Sequence, residues 1–252
     1  MSKQVLYLGD GEITGAASYL AGVMSHNNID FDYLPSDAAM SDSISNEDYR
    51  LIIISDYPAS NFTEVQLKKL VQKISCGMGL AMFGGWESFV GIGGGYQLTK
   101  LAEVLPVDML NKDDRRNHWS PCIVHKKQNH PIVDSLPLLE DLPVIGGFNE
   151  IHPKDNASTL LSIQRYKVNS NENGEMSFVR KSTHPLLVIG SHGEGNVACF
   201  ASDVAPHWIG GFVDWGKDRI KATADGSQEI EVGNLYAEFF RNIINWTGQF
   251  TQ

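Results

Sequence analysis

The sequence predicts an α/β fold, in which a mostly parallel β-sheet is flanked by helices and additional antiparallel β-strands lie in the C-terminal half. In the first half, short apolar runs alternate with segments of helical periodicity, the pattern of parallel strands joined by helical crossovers. In the second half, strand-like runs follow one another with turns between them. One sheet with additions reaches 252 residues, so we expect a single domain over residues 1–252.

The predicted strands of the first half are short apolar runs, at residues 5–8, 31–34, 51–54 and 80–83. Residues 13–24 are rich in alanine and predict the first helix, after a tight turn at Gly9 and Asp10. Thr63 and Gln66 have the spacing of a capping box, so a second helix should begin there. Continuous apolar strands indicate burial on both faces, and such sheets bind ligands at the carboxyl ends of their strands.

The predicted strands of the second half lie at residues 119–124, 148–153, 158–166, 186–189 and 197–200. Residues 191–196 contain two glycines and predict a hairpin loop, so antiparallel edge strands are expected. The polar segments 169–175 and 221–231 lack periodicity and indicate surface excursions. Residues 234–246 have apolar side chains at helical spacing and predict a closing helix.

Charge and cysteine content narrow the classes of partner and compartment. A formal charge of −10 argues against nucleic acid as a partner, because such binders gather lysine and arginine into a patch. The apolar run that follows Met1, Ser2 and Lys3 is too short for the core of an export signal, and no stretch approaches the roughly 18 apolar residues of a membrane span. Three cysteines without CxxC spacing suit a reducing compartment. We expect a soluble cytoplasmic protein that does not bind membranes.

The strongest local signal for a site is the elbow after the fourth predicted strand, at Gly84, Gly85, Trp86, Glu87 and Ser88. Glycines at such an elbow let the backbone turn sharply and leave amide groups free to hold an anion or a developing oxyanion. A tight turn with packing aromatic residues is the alternative interpretation. The elbow is therefore a candidate site and not an assigned one.

The glycine-rich segment at residues 91–95 does not match a dinucleotide-binding loop, because the glycine spacing differs and the segment lies several residues beyond its strand. A flexible rim over the cleft is the preferred interpretation, and such a rim could act as a lid.

A second cluster of polar residues follows the predicted strand at residues 197–200. His207 is a candidate general base, and Asp203 is the acid that would orient it. A histidine that only caps a helix or makes local hydrogen bonds is the alternative.

The chain resembles the glutamine amidotransferase-like family, part of the class I glutamine amidotransferase-like superfamily. The resemblance is carried in matching order by four segments, at residues 79–89, 101–107, 130–133 and 201–208. It implies a flavodoxin-like fold and a site at the elbow. Class I enzymes of this kind place a cysteine at the elbow and a histidine two residues before a glutamate, whereas this chain has Gly84, Gly85 and Trp86 at the elbow and follows His207 with Trp208 and Ile209.

The cysteines present do not replace the missing thiol. Cys76 precedes the elbow strand at its other end, while Cys122 and Cys199 lie in predicted strands. Buried cysteines are inert, since a reactive thiolate needs an accessible and electropositive setting. The sequence therefore predicts a structural role for all three.

If the site is catalytic, Ser88 is the available hydroxyl, His207 the candidate base, and Asp203 or Glu87 the orienting acid. Histidines of the second half raise the question of zinc, but the spacing of His118, His125, His130, His184 and His192 matches no ligand motif. We expect neither a metal nor a cofactor.

Two further hypotheses involve no catalysis. In one, the cleft binds a small polar molecule through Gly9, Asp10, Gly84, Gly85, Trp86, Glu87 and Trp208, because indole faces with carboxylates suit carbohydrates or other polyols. In the other, the chain is a structural subunit of a homo-oligomer, with Trp208, Phe212 and Trp215 in the interface.

Overall fold

The computed structural model describes residues 4–250 and contains strands along almost its whole length. The strands are β1 Val5–Gly9, β2 Phe31–Leu34, β3 Leu51–Ser55, β4 Gly79–Phe83, β5 Val107–Met109, β6 Arg115–Lys126, β7 Val144–Asn149, β8 Ile151–Pro153, β9 Ser158–Ser170, β10 Met176–His192, β11 Gly195–Phe200, β12 Arg219–Ala222 and β13 Ile230–Gly233. The helices are α1 Ala17–His26, α2 Asp42–Asn46, α3 Glu64–Ser75, α4 Leu101–Val104, α5 Pro206–Val213 and α6 Asn234–Thr247.

Nine strands form one mixed sheet in the order β2-β1-β3-β4-β11-β10-β9-β6-β7. The pairs from β2 to β11 are parallel, and the pairs from β11 to β7 are antiparallel. The predicted α/β, flavodoxin-like fold with additional antiparallel strands is confirmed. The small pairs β12–β13 and β5–β8 lie outside this sheet.

The strand register aligns the carboxyl ends of the parallel strands. Gly9 of β1 pairs with Ser55 of β3, Ser55 with Phe83 of β4, and Phe83 with Phe200 of β11. Adjacent strands lie about 4.8 Å apart, so the residues that follow these strands are close neighbours. We call this side of the sheet the carboxyl edge.

The core joins both parts of the sheet through a cluster of aromatic side chains. Phe200 of β11 packs against Phe83 of β4 and against Phe239 and Phe240 of α6. The suggested exposure of Trp208, Phe212 and Trp215 in an oligomer interface is wrong, because these side chains are buried in the same core. Their apolar area packs against neighbouring rings within the chain.

The capping box predicted from Thr63 and Gln66 is present at the start of α3. The Thr63 Oγ1 accepts a hydrogen bond from the Gln66 backbone N–H at 3.2 Å, and the Gln66 Oε1 accepts one from the Thr63 N–H at 2.9 Å. By contrast, α1 begins at Ala17 and not at residue 13, because a turn closed by the Gly15 N–H on the Glu12 carbonyl comes first.

Both predicted surface excursions contain strand. In the first, β9 continues to Ser170 and β10 begins at Met176, so only a short turn separates them. In the second, β12 and β13 pair, and Ile230 packs against Gly22 of α1. In the second segment, the polar composition concealed Ile230, which is buried, whereas residues 169–175 contain no apolar side chain.

Within residues 4–250, no helix has both the length and the apolar character needed to cross a membrane. The expectation about an export signal rests partly on Met1, Ser2 and Lys3, which lie outside the described residues.

Candidate functional site

Three aspartates occupy the carboxyl edge. Asp10 follows β1 directly, Asp56 follows β3 directly, and Asp203 lies three residues beyond β11. The Asp10 backbone N–H donates to the Ser55 carbonyl at 2.8 Å, which locks the ends of β1 and β3 together. We call Asp10, Asp56 and Asp203 the carboxylate cluster.

The backbone at this edge adopts left-handed conformations that side-chain-bearing residues seldom use. The φ angle is +54° at Asp10, +47° at Asp56 and +49° at Phe89 in the elbow. Aspartate tolerates this region better than most residues, but each case still has a conformational cost. Left-handed residues gathered where strands end are typical of a functional site.

Hydrogen-bond donors, and not cations, satisfy the carboxylate cluster. Tyr7 donates its hydroxyl proton to Asp10, and the Glu87 backbone N–H donates to the Asp56 Oδ1 at 2.8 Å. The Asp203 Oδ1 accepts from the N–H groups of Val204 and Ala205, at 2.6 and 3.0 Å. In the part of the chain that the structure describes, none of the ion pairs includes a member of the cluster.

Burial raises the pKa of every member of the cluster. Loss of water raises the pKa of Asp56 to about 7, and the charge of Asp203 adds to this effect. Loss of water also raises the pKa of Asp203 to about 6, against the lowering effect of the backbone N–H groups of Ala205 and Val204. The pKa of Asp10 is raised well above its ordinary value by burial, and further by Asp203 and Asp56. Near neutral pH the cluster therefore holds protons as well as negative charge.

The elbow after β4 is glycine because the Asp56 carboxyl group lies against it. A Cβ atom on Gly85 would lie 2.1 Å from the Asp56 Oδ1, and one on Gly84 would lie 2.5 Å from the Asn149 Oδ1. Asn149 holds the elbow from the other side, since its Oδ1 accepts from the Gly85 N–H at 2.8 Å and its Nδ2 donates to the Gly85 carbonyl at 3.1 Å. The side chains of two distant strands therefore fix the position of the elbow.

A buried carboxylate also holds the start of the glycine-rich segment. The Asp114 carboxyl group accepts from the N–H groups of Val90 and Gly91, at 3.2 and 2.9 Å, and from the Asn149 Nδ2 at 2.8 Å. Burial raises the pKa of Asp114. These bonds tie the segment to β6 and β7, and a closing movement of residues 91–95 stays a prediction.

Aromatic and cationic side chains form one wall beside the cluster. The Trp86 ring is 45% exposed and contacts the exposed His207 ring edge to face, with 5.9 Å between centroids. The Arg115 guanidinium carbon lies 4.7 Å from the centre of the Trp86 ring, and Arg115 is itself paired with Asp113. We call Trp86, His207 and Arg115 the aromatic wall.

The structure brings Trp86 and His207 together, whereas Ser88 has different neighbours. The Ser88 side chain is fully buried, and its Oγ accepts the Asp56 backbone N–H at 2.9 Å. Glu87 is half-buried and contributes its backbone N–H to Asp56. Trp208 is buried, and its indole N–H donates to the Asn117 Oδ1 at 2.7 Å.

The cysteines lie away from the elbow or deep in the sheet. Cys199 is fully buried in β11, and burial raises the pKa of its thiol. Cys122 is buried in β6, and burial raises its pKa to about 11. Cys76 is exposed at the end of α3, before β4 begins.

Sequence reasoning missed Asp56, Asn149 and Asp114. The sequence could have indicated Asp56, because it directly follows a buried apolar strand just as Asp10 does. Asn149 and Asp114 had none, because they reach the elbow only through the pairing of β6 with β7. Within residues 4–250, no group of three or more histidine, cysteine, aspartate or glutamate side chains is arranged to hold a metal ion.

Comparison with known proteins gives a family and several similar folds. The family model described as "Putative glutamine amidotransferase" matches residues 8–221. No curated protein matches the chain. Cytoplasmic protein STM1381 from Salmonella typhimurium LT2 is 26% identical, with a TM-score of 0.73 over 97% of this chain and 99% of that one.

A second Salmonella typhimurium structure, cytoplasmic protein STM3548, is also 26% identical, with a TM-score of 0.73 over 97% of this chain and 98% of that one. A ThuA-like protein from Bacteroides uniformis has a TM-score of 0.57 at 15% identity over 97% of this chain and 91% of that one. At that identity the similarity shows the fold alone.

Proposed function

Because this chain belongs to the family described as "Putative glutamine amidotransferase", we propose that it uses the carboxyl edge of the family's fold as a binding site in which carboxylates take the place of a thiol. The proposed ligand is a small, uncharged, hydroxyl-rich molecule such as a sugar or another polyol. The proposed compartment is the cytoplasm, the location in the names of the two Salmonella proteins.

The observation that carries this proposal is a cluster of two buried aspartates, Asp10 and Asp203, and the partly buried Asp56, none of which forms an ion pair within residues 4–250. Burying a carboxylate is costly unless hydrogen bonds or a cation compensate it, and here the compensation is partial, because all three pKa values are raised. A fold seldom gathers several such groups for stability alone, and raised pKa values in one cluster favour a functional role.

Partly protonated carboxyl groups suit hydroxyl ligands. A carboxylate accepts hydrogen bonds from hydroxyl groups, and a protonated carboxyl group also donates one. The remaining negative charge opposes phosphorylated or carboxylated ligands. Trp86 offers a partly exposed ring face, against which the C–H face of a sugar packs.

The family's thiol chemistry is a poor fit to this site. The elbow residues are Gly84, Gly85 and Trp86, and the two cysteine thiols in the sheet are buried with raised pKa values. A thiol that stays protonated at neutral pH is a weak nucleophile.

Acid–base processing of the bound ligand is the second candidate. The pKa values of about 7 for Asp56 and about 6 for Asp203 lie in the range where one group can give a proton and another accept it. The Ser88, His207, Asp203 and Glu87 set belongs to this candidate as an alternative, although the buried Ser88 Oγ already accepts the Asp56 N–H. A Ser88→Ala protein that still converts the ligand would exclude the serine route.

Ligand-observed NMR with a panel of monosaccharides, disaccharides and sugar alcohols tests the proposal, with sugar phosphates as the anionic comparison. We expect an uncharged member to bind and its phosphate ester to bind more weakly. Asp10→Asn and Trp86→Ala should each weaken binding about 10-fold to 100-fold, the first by changing a hydrogen-bonding group and the second by removing the ring against which the ligand packs. Spectra followed for hours show whether the ligand is also converted.

Two control variants change exposed residues that are not part of the site. Asp155→Asn removes one exposed charge, and Leu139→Ala removes one exposed apolar side chain. Both should leave binding unchanged. Equal affinity in wild type and both site variants, or no binding by any uncharged member of the panel, would refute the proposal.

A further inference from the structure

The hairpin formed by β9 and β10 extends beyond the strands on either side of it. In the described chain, β6 pairs with β9 as far as Arg165, and β11 pairs with β10 only from Leu187 onward. Past those points β9 and β10 pair with each other, from Tyr166 opposite Arg180 to Ser170 opposite Met176. We call residues 166–180 the arm. A two-stranded hairpin of this kind has little stability by itself in water.

One face of the arm carries an exposed apolar patch, next to Arg180 on the same face. Residues directly opposite in an antiparallel pair share a face, and so do residues two apart in one strand. Val168 opposite Phe178, with Met176 two residues further, therefore lie on one face. Phe178 is 61% exposed and Met176 is 69% exposed. An exposed apolar patch of this kind indicates a surface that is covered by a partner.

A groove of about 740 Å³ lies beside the base of the arm and is lined by basic side chains. Its lining includes the fully exposed ring of Trp119 and the cationic side chains of Arg165, Lys167 and Lys181. The chain as a whole carries a net charge of −10, so this basic groove stands out against an acidic protein.

The tip of the arm carries the complementary charge. Glu172 and Glu175 lie in the turn between β9 and β10 and are exposed. Within residues 4–250, neither these glutamates nor Lys167 and Lys181 take part in any of the ion pairs. Along β9 and its turn, Glu172 lies five residues beyond Lys167, a span of about 16 Å in extended chain.

We infer that the arm and its groove form the interface with a second copy of this chain, related by a twofold axis. Two arms packed antiparallel place the acidic tip of each copy over the basic groove of the other and cover the apolar face with Phe178. A twofold axis makes both contacts at once, as self-complementary interfaces require. An acidic peptide or a small anion in the groove would leave Phe178 and Met176 exposed, because the groove lining reaches the arm only as far as Val168, whereas a second copy covers the groove and these side chains.

An arm of this size makes a small interface, so we expect a dissociation constant in the micromolar range. Sedimentation velocity from about 1 to about 200 μM covers that range. The wild-type chain should pass from monomer to dimer as its concentration rises, and Phe178→Ser should weaken the dimer at least 10-fold.

Charge reversal gives the sharper test. Glu172→Lys with Glu175→Lys makes both tip and groove basic, and Lys167→Glu with Lys181→Glu makes both acidic, so each double variant alone should be monomeric. Mixed together, the two variants should form a heterodimer, because each tip then meets a groove of opposite charge. Native mass spectrometry with one variant isotopically labelled detects the heterodimer, and its formation also shows that both variants are folded.

The matched control is Lys127→Glu with Lys217→Glu, two exposed lysines that the groove does not include. This protein should dimerise like the wild type. A wild type that stays monomeric throughout the concentration range, or charge-reversed variants that dimerise alone as the wild type does, would overturn the inference. Failure of the mixture to form a heterodimer would overturn it as well.

Discussion

Asp56 loses water at the carboxyl edge and forms no ion pair within residues 4–250, so loss of water has the largest effect on its pKa. Its pKa rises to about 7 because burial disfavours the charged form and the charge of Asp203 lies nearby. Its backbone is left-handed, and its carboxyl group lies against Gly85. The site therefore gains negative charge gradually as the pH rises from mildly acidic to neutral.

Asp56→Asn should remove part of the pH dependence of stability. The folded-state pKa of about 7 lies above the ordinary value of 3.8, so between these values the folded chain keeps a proton that the unfolded chain has lost. The stability that Asp56 contributes is thus present below about pH 4 and is lost as the pH rises through about 7. Urea unfolding at pH 4 to 8 should show the variant gaining about 1–3 kcal/mol on the wild type as the pH rises.

The gain should level off above about pH 7, where the folded wild type has lost its proton as well. Asp155→Asn, at an exposed position, should show a difference from the wild type that does not change with pH. A difference between Asp56→Asn and the wild type that is constant from pH 4 to 8 would contradict the raised pKa.

At the scale of elements, the elbow after β4 is held by strands that are distant in sequence. Asn149 at the end of β7 binds Gly85, and Asp114 just before β6 binds Val90 and Gly91. The antiparallel half of the sheet therefore supports the site made by the parallel half. The sequence predicted part of β6, at residues 119–124, whereas the predicted strand at residues 148–153 overlaps only the last two residues of β7. Asn149 lay inside that predicted strand and Asp114 outside any predicted strand, so neither position indicated a contact with the elbow.

Asn149→Ala should loosen the elbow. The variant leaves the Gly85 N–H and carbonyl without their side-chain partner, which we expect to cost about 1–3 kcal/mol in the free energy of unfolding. Hydrogen exchange measured by mass spectrometry should show at least about 10-fold faster exchange in a peptide covering residues 84–95. Asn156→Ala, at an exposed position, is the control, and unchanged exchange at the elbow in Asn149→Ala would disprove this support.

At the scale of the whole molecule, one sheet and one aromatic core connect the parallel and antiparallel halves. Phe200 stands at the junction, because β11 pairs with β4 on one side and β10 on the other. Its ring packs against Phe83 of β4 and Phe239 of α6. Loss of this side chain affects both halves at once.

Phe200→Ala should lower the free energy of unfolding by about 3–5 kcal/mol, the range for a buried phenylalanine. We expect one unfolding transition in urea, with far-UV circular dichroism and tryptophan fluorescence changing together, in both the wild type and the variant. Leu139→Ala, at an exposed position, should leave the midpoint in place. Two separate transitions, of which only one moves in Phe200→Ala, would show that the halves fold as different domains.

The sequence by itself determined the α/β class, the buried parallel strands, the capping box of α3 and the positions of Asp10, Trp86, Asp203 and His207 near strand ends. These features depend on local periodicity and on residues close together in the chain, which a sequence records directly. Only the tertiary structure decided that Asp56 completes the carboxylate cluster, that Ser88 is buried and that Trp208 belongs to the core. Burial and contact depend on which distant strands pair, and loss of water, which sets the pKa values of the site, exists only once those strands have come together.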